Sequence, residues 1–407
     1  MKVAIIGAGA SGMAAALQAA WQGADVTLFE RNDQPGRKLL VTGSGRCNIS
    51  NAAAAAEKYT CADPAWMADL LARFGVQDVI AWLAALGIPV RQTSDGWYYP
   101  LSDSAQSVVE AFSGALRLAG VNLAASARVT SIRARGQGFT VSYSRDQAEQ
   151  QAAFDRVVVA AGGRAQPALG SRGELFPELE RLGHTVLPLR PALAPVLADL
   201  GGLQPLQGMR LDAGVTLWQG SRCLSGTRGN LIFTKWGLNG PAVMDLSHHV
   251  SARPQANLHL SLDALAFVQD EFDRLLAQKR TSRLPARVFL GAFFPPRAAG
   301  IFLKNARLPE EAPLGQVEDS ALEHLVKYLK DIRLPVKGLR GFEYCQLSAG
   351  GVPVNQADPL TLESRLVKGL FLAGETLDVV GPCGGYNLQF AFSSGVLAGK
   401  AAAGQPA

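Results

Sequence analysis

Cysteine is sparse in this 407-residue sequence and never closely paired: Cys47, Cys61, Cys223, Cys345 and Cys383 are scattered, with no C-x-x-C among them. That excludes a vicinal redox disulfide and leaves no zinc-site spacing. Histidine is equally thin, and only His248 and His249 adjoin. With no carboxylate or cysteine at ligand spacing the pair reads as solvated, and no metal is expected. Long apolar runs are missing too. None reaches the roughly 20 residues of a membrane span, and Ile5-Ile6 gives way at once to glycines. The N-terminus therefore reads as a fold element rather than a leader, and the protein as cytoplasmic with no membrane partner. Charge is modest, 39 Lys and Arg against 34 Asp and Glu, and spread along the chain apart from clusters such as Arg133 and Arg135. A solvated basic surface accounts for this, while a nucleic-acid partner stays open.

What the sequence does hold is concentrated at its ends. Val3 to Ile6 is a short apolar run of the kind a doubly buried parallel strand requires. Gly7-Ala8-Gly9-Ala10-Ser11-Gly12 follows, matching G-x-G-x-x-G, and an alanine-rich helix leads to a second strand, Asp25 to Glu30. In such a unit the first glycine makes the turn, the second admits a pyrophosphate and the third lets helix and strand close up. The phosphates would meet the helix N-terminus near Ala10 and Ser11, and Glu30 would take a ribose diol. This turn alone does not separate FAD from NAD. At the other end, Leu370-Phe371-Leu372-Ala373-Gly374-Glu375 reads as a strand ending in Gly-acid. Asp378-Val379-Val380-Gly381-Pro382-Cys383-Gly384-Gly385-Tyr386-Asn387 then forms a tight loop, and an apolar helix runs from Leu388 to Lys400. One group of flavin enzymes places such an acid on the ribitol and aims the next helix at the flavin pyrimidine oxygens, where the reduced ring accumulates charge. FAD is therefore expected, held from both ends. There is no second G-x-G-x-x-G, so NAD(P)H is expected only as a transient electron donor.

Between these ends the texture varies. Arg31 to Asn51 concentrates four cationic side chains and three glycines with almost no apolar periodicity, and reads as a loop around an anionic ligand. Its candidate ligand residues are Arg31, Gly36, Lys38, Gly43, Arg46, Cys47 and Asn48. Residues 64 to 86 read as two amphipathic helices. In Gly96-Trp97-Tyr98-Tyr99-Pro100 three adjacent aromatics cannot share one core, so at least one faces a cleft or a partner. Ser102 or Asp103 should cap a helix to Leu118, two alternating strands follow, and Phe154 to Gly163 reads as a third parallel strand with Ala161 and Gly162 passing close to the cofactor. Prolines then punctuate a β-rich and helical insert.

These residues carry a family resemblance. Gly36-Arg37-Lys38-Leu39-Leu40-Val41-Thr42-Gly43-Ser44-Gly45-Arg46-Cys47-Asn48, Gly237-Leu238-Asn239-Gly240-Pro241-Ala242, Ala373-Gly374-Glu375-Thr376-Leu377-Asp378 and Cys383-Gly384-Gly385-Tyr386-Asn387-Leu388-Gln389 resemble the HI0933-like family of NAD(P)/FAD-dependent flavoproteins. The resemblance implies an α/β fold: a Rossmann-like FAD-binding domain of the two-dinucleotide-binding-domain flavoprotein type, assembled from 1–188 and 338–407, with a β-barrel plus helical insert over 189–337. It also implies reduction of an activated C=C bond, in steroid-like enones in one branch and in a ribosomal RNA uracil in another, so the expected substrate is a small molecule or an RNA base. Two stretches depart from the common pattern. Leu347-Ser348-Ala349-Gly350-Gly351-Val352 stands where many relatives read Val-Thr-x-Gly-Gly-Val, and Leu238-Asn239-Gly240 where they read Leu-Ser-Gly. Cys383, Tyr386 and Cys47 are the candidate proton donors, with Gly385, Tyr386 and Asn387 at the flavin end. Arg46 and Asn48 could serve either flavin or substrate. An oxidase or monooxygenase, and a non-catalytic FAD-bearing RNA-associated protein, are the alternatives.

Overall fold

The first strand, Lys2–Ile6, is the centre of a five-stranded parallel sheet whose order is Leu370–Leu372, Arg156–Val159, Lys2–Ile6, Asp25–Phe29, Asn122–Ala124. Val3, Ala4 and Ile5 are wholly buried, as the unbroken apolar run requires. The computed structural model describes residues 1–278 and 283–404. They form two compact units, Met1–Arg190 with Gln346–Ala407, and Pro191–Cys345.

In the first unit the N-terminal helix, Ala10–Trp21, and the C-terminal helix, Tyr386–Ala402, cross where both lack bulk. A Cβ added to Gly395 would lie 2.3 Å from the Ser11 carbonyl oxygen, and one on Gly399 would lie 2.2 Å from that of Ala15. Glycine at these two positions is what lets the backbones approach. Two further helices, Pro64–Arg73 and Val76–Ala85, supply Trp66, Leu70, Val79 and Trp82 to the same core. There Phe112 and Phe392 stack at 5.8 Å, with Trp82 tilted against both.

Local departures from expectation have simple causes. The Arg31–Asn51 stretch contains a helical turn, Arg37–Leu40, because Gly36 adopts φ 73° before it and Leu39 buries into the core. Ser104, not Ser102 or Asp103, caps the helix Ala105–Leu118, its hydroxyl accepting from the Ser107 N–H at 3.3 Å. The expected strand pair is a three-stranded antiparallel sheet, Arg128–Arg135, Gly138–Arg145 and Ala148–Phe154, whose polar third strand carries little apolar signal. The C-terminal helix begins at Tyr386, two residues before its apolar run.

The second unit holds helices, among them Pro296–Asn305 and Asp319–Lys330, and a closed six-stranded barrel formed, in order, by Val196–Ala198, Gly237–Asn239, Arg222–Thr234, Arg210–Gln219, Leu258–Asp263 and Ile332–Leu339. Leu211, Ala213, Val215 and Leu217 alternate inward, the period-two signature of a barrel wall. The Gly237-Leu238-Asn239-Gly240 stretch serves this closure. A Cβ on Gly237 would sit 2.2 Å from the Val196 carbonyl oxygen, and the Asn239 amide oxygen accepts from the Gly240 N–H. His248 and His249 are half-buried rather than solvated, with ring centroids 4.0 Å apart, and desolvation holds His249 below its usual range. Among the described residues no group of His, Cys, Asp and Glu could hold a metal, and no helix is long and apolar enough to cross a membrane.

Candidate active site

The glycine turn is tight at two of its glycines and open at one. A Cβ on Gly7 would meet the Ala160 carbonyl oxygen at 2.5 Å, and one on Gly12 would meet the Gly7 carbonyl oxygen at 1.7 Å. At Gly9 a Cβ would meet nothing within 4 Å. Gly9 is the N-cap of the N-terminal helix, with no side-chain cap and no acid in the first turn, so the N–H groups of Ala10, Ser11 and Gly12 have no intrahelical acceptor. At the strand end beside it, Glu30 is only 8% exposed. One carboxylate oxygen accepts from the Ala8 N–H at 2.9 Å and the other from the backbone and side chain of Asn32 at 2.8 and 2.7 Å. Arg31 pairs outward with Glu174.

The C-terminal half adjoins this corner. Gly374, at φ 62°, lies so near Ser11 that a Cβ there would meet the serine Oγ at 2.4 Å. The next residue, Glu375, is the hub of a network. Lys38 Nζ donates to its Oε2 at 2.6 Å, and Ser348 donates to its Oε1 through both backbone N–H, at 2.9 Å, and hydroxyl, at 2.7 Å. Ser348 Oγ in turn accepts from the Arg164 N–H at 3.0 Å. The loop after the Arg156–Val159 strand, containing Ala161, Gly162 and Gly163, is thereby tied to the C-terminal turn. Ser348 was not among the expected ligand residues; its only signal was its place in the Ser-Ala-Gly-Gly stretch.

The third part gathers the Gly43–Asn48 turn and the Cys383–Asn387 loop. Gly43, Ser44, Gly45 and Cys47 all have φ between 56° and 86°. A Cβ on Gly43 would lie 2.9 Å from the Asn48 N–H nitrogen, and one on Gly385 would lie 2.3 Å from the Ser50 carbonyl oxygen and 2.8 Å from Asn48 Oδ1. Gly385 is the N-cap of the C-terminal helix, again with no side-chain cap and no acid in its first turn. The Asn387 amide is spent on the loop itself, accepting from the Gly381 N–H and donating to the Gly381 and Pro382 carbonyls. Tyr386 is 8% exposed and packs edge-on against Tyr59, whose hydroxyl donates to the Tyr386 carbonyl at 2.9 Å. Cys47 is wholly buried, and desolvation pushes its thiol up to about 12, whereas Cys383 is half-buried. A groove of about 1400 Å³ lined by Trp218, His259, Arg228 and Arg333 lies on the barrel and includes none of the expected site residues.

The residues fit FAD. Two uncapped helix N-termini and an open position at Gly9 suit a pyrophosphate and a ring edge, and the Glu30 carboxylate would suit the adenosine ribose. Asn48 Oδ1 is a buried acceptor without a partner, which a ring N–H would satisfy.

The HI0933-like protein Rossmann domain family matches residues 1–401. The chain belongs to this family. It is 33% identical over 412 residues to the 3-dehydro-bile acid delta(4,6)-reductase of Clostridium scindens, covering 100% of each chain. It is 30% identical to the ribosomal RNA dihydrouridine synthase of Escherichia coli, covering 96% of this chain and 95% of that one. Among solved structures, 3-ketosteroid delta1-dehydrogenase from Sterolibacterium denitrificans shares the fold, with a TM-score of 0.54 at 14% identity over 99% of both chains. This member of the HI0933-like family is a FAD-dependent oxidoreductase with a Rossmann-type FAD-binding fold.

Proposed function

We propose that this protein reduces a C=C bond conjugated to a carbonyl, with NAD(P)H as the transient electron donor. The observation that carries the reading is a pair of relatives whose names describe different substrates but the same kind of change. One is a reductase of a bile acid, the other a synthase of dihydrouridine, the ring-saturated form of uridine. Bound FAD supplies a reversible two-electron, hydride-carrying centre.

The chain's own residues do the rest. Ala10, Ser11 and Gly12 would offer N–H groups to the phosphates, and Glu30 would orient the adenosine ribose. Lys38 and Ser348 hold the Glu375 carboxylate, which would serve the ribitol of a bound FAD. The first-turn N–H groups after Gly385 would favour negative charge on a flavin edge bound there. The acceptor needs a proton as well as a hydride. Cys383, half-buried on the glycine loop, is better placed to deliver it than Cys47, which is sealed from solvent. Tyr386 is the second candidate. Anaerobic photoreduction of the holoenzyme followed by mixing with an enone or a uracil-containing RNA tests the reading. Rapid reoxidation by one of them is expected; persistence of the reduced spectrum with every C=C acceptor, together with fast reoxidation by oxygen, would overturn it in favour of an oxidase.

A further inference from the structure

The Gly96–Pro100 aromatics do not bury together. Tyr98 and Tyr99 are 9% and 3% exposed, and the Tyr98 hydroxyl is turned to Gln92 at 3.1 Å. Trp97 is half-buried against the glycine loop: a Cβ on Gly384 would meet its Cε2 at 3.0 Å, and Asn51 Nδ2 donates to the Gly384 carbonyl at 3.0 Å. Tyr99 serves as the seat for a cation. The Arg46 guanidinium lies 4.6 Å from its ring centroid, within cation–π range. Arg91, on the same ring at 5.9 Å, is already neutralised by Asp103. Arg46 has no carboxylate among the described residues; its contacts are the ring, the Tyr99 hydroxyl and the Gly43 carbonyl, both at 3.4 Å, and the residue is exposed. The turn that carries it places two non-glycine residues, Ser44 and Cys47, in the left-handed region, the kind of backbone that persists where surroundings impose it at functional sites.

The half-buried Trp97 indole packs beside the Cys383–Gly385 loop, its ring centroid 6.4 Å from that of Tyr99, whose face carries the exposed Arg46 guanidinium. We propose that Trp97 and Arg46, the latter held on the face of Tyr99, form the acceptor subsite and take a planar conjugated carbonyl compound whose oxygen meets the Arg46 guanidinium. This rests on the reductase reading and adds the residues that select and activate the acceptor. Hydride supplied to the β-carbon by bound reduced flavin, with a dihydronicotinamide as the two-electron donor, would form a C–H bond there and shift the C=C π pair to make a C=C–O⁻ enolate. Arg46 pairs with that oxyanion. A proton delivered to the α-carbon then restores the carbonyl and completes addition of H⁻ and H⁺ across the double bond. Arg46 is thus worth more to the enolate than to the ground-state carbonyl, which is what accelerates the step.

The test uses the FAD-loaded full chain and 4-chlorophenol, whose phenolate imitates the planar enolate anion. Titration into the oxidised enzyme should produce a long-wavelength charge-transfer band. Arg46→Gln should weaken phenolate binding at least 10-fold, Arg46→Lys less, and Trp97→Ala should weaken it while Trp97→Phe restores most of it. FAD content should stay at the wild-type level in Arg46→Gln. Wild-type enzyme that binds no phenolate, or Arg46→Gln that binds it equally, overturns the proposal. So does loss of FAD in Arg46→Gln, which would make Arg46 a cofactor ligand. Because binding is read on oxidised enzyme without turnover, this result is separate from whether any C=C acceptor reoxidises the flavin.

Discussion

Gly9 and Gly12 are three positions apart in the same motif, and an added methyl meets opposite surroundings at each. At Gly12 it would collide with backbone, so Gly12→Ala should destabilise the fold by at least about 1–3 kcal/mol and lower the thermal midpoint of cofactor-free protein. At Gly9, where φ is −79° and no protein atom lies within reach, Gly9→Ala should leave cofactor-free stability within about 0.5 kcal/mol of wild type yet weaken FAD binding. Equal loss of stability in the two variants would show that Gly9 faces protein and not ligand. Thiol reactivity offers a second check at this scale. Cys47 should resist iodoacetamide in the native protein at pH 8 while exposed Cys223 reacts, as read by peptide mass spectrometry, because burial keeps its thiol protonated. The motif spacing marks both glycines alike. It did not separate their roles, since that depends on which atoms the fold brings behind each.

Between elements the decisive contacts are made by the smallest residues. The N-terminal and C-terminal helices touch at Ser11 and Gly395 and at Ala15 and Gly399, so Gly395→Ala should push them apart. The expected outcome is a loss of about 1–3 kcal/mol in unfolding free energy with a parallel loss of FAD affinity, measured by denaturant titration and fluorescence. Elsewhere in this unit, buried His184 links Val354–Gln356 to Ser364, its Nδ1 and Nε2 each 2.9 Å from Gln356 Oε1 and Ser364 Oγ. Desolvation lowers its pKa below the ordinary 6.5. A histidine kept neutral in the fold contributes fully above the unfolded value, and its contribution falls as pH drops below about 6.5 toward the depressed folded value, because the unfolded chain takes the proton first. Thermal midpoints measured from pH 7.5 to 5.5 should therefore fall less steeply in His184→Asn than in wild type.

At the scale of the whole molecule, one unit is assembled from Met1–Arg190 and Gln346–Ala407, whereas Pro191–Cys345 is one continuous segment with its own barrel core. FAD contacts should be confined to the discontinuous unit. Calorimetry should accordingly show a cofactor-dependent transition that rises by about 2.7 kcal/mol when free FAD is 100 times its dissociation constant. A second, barrel transition should be left unmoved. A segment of residues 191–345 expressed alone should give a cooperative β-rich unfolding curve. A single transition that shifts as one body with FAD would count against independent cores.

The sequence by itself determined the strand–glycine turn–helix unit at the N-terminus, the strand-Gly-acid turn and the position of the two terminal helices, because each is a local pattern of glycine freedom, apolar run and helix start. It also placed the Trp97 aromatics and Arg46 as residues needing an explanation, and the motifs bounded the family. Only the tertiary structure decided what those residues meet. Ser348 reaches Glu375 from 27 positions away and Lys38 from 337, Arg46 finds the Tyr99 face 53 positions on, and Cys47 is sealed while Cys383 is not. Contacts of that range depend on how the sheet orders its strands and how closely two helices cross, and no periodicity within a stretch of chain encodes either.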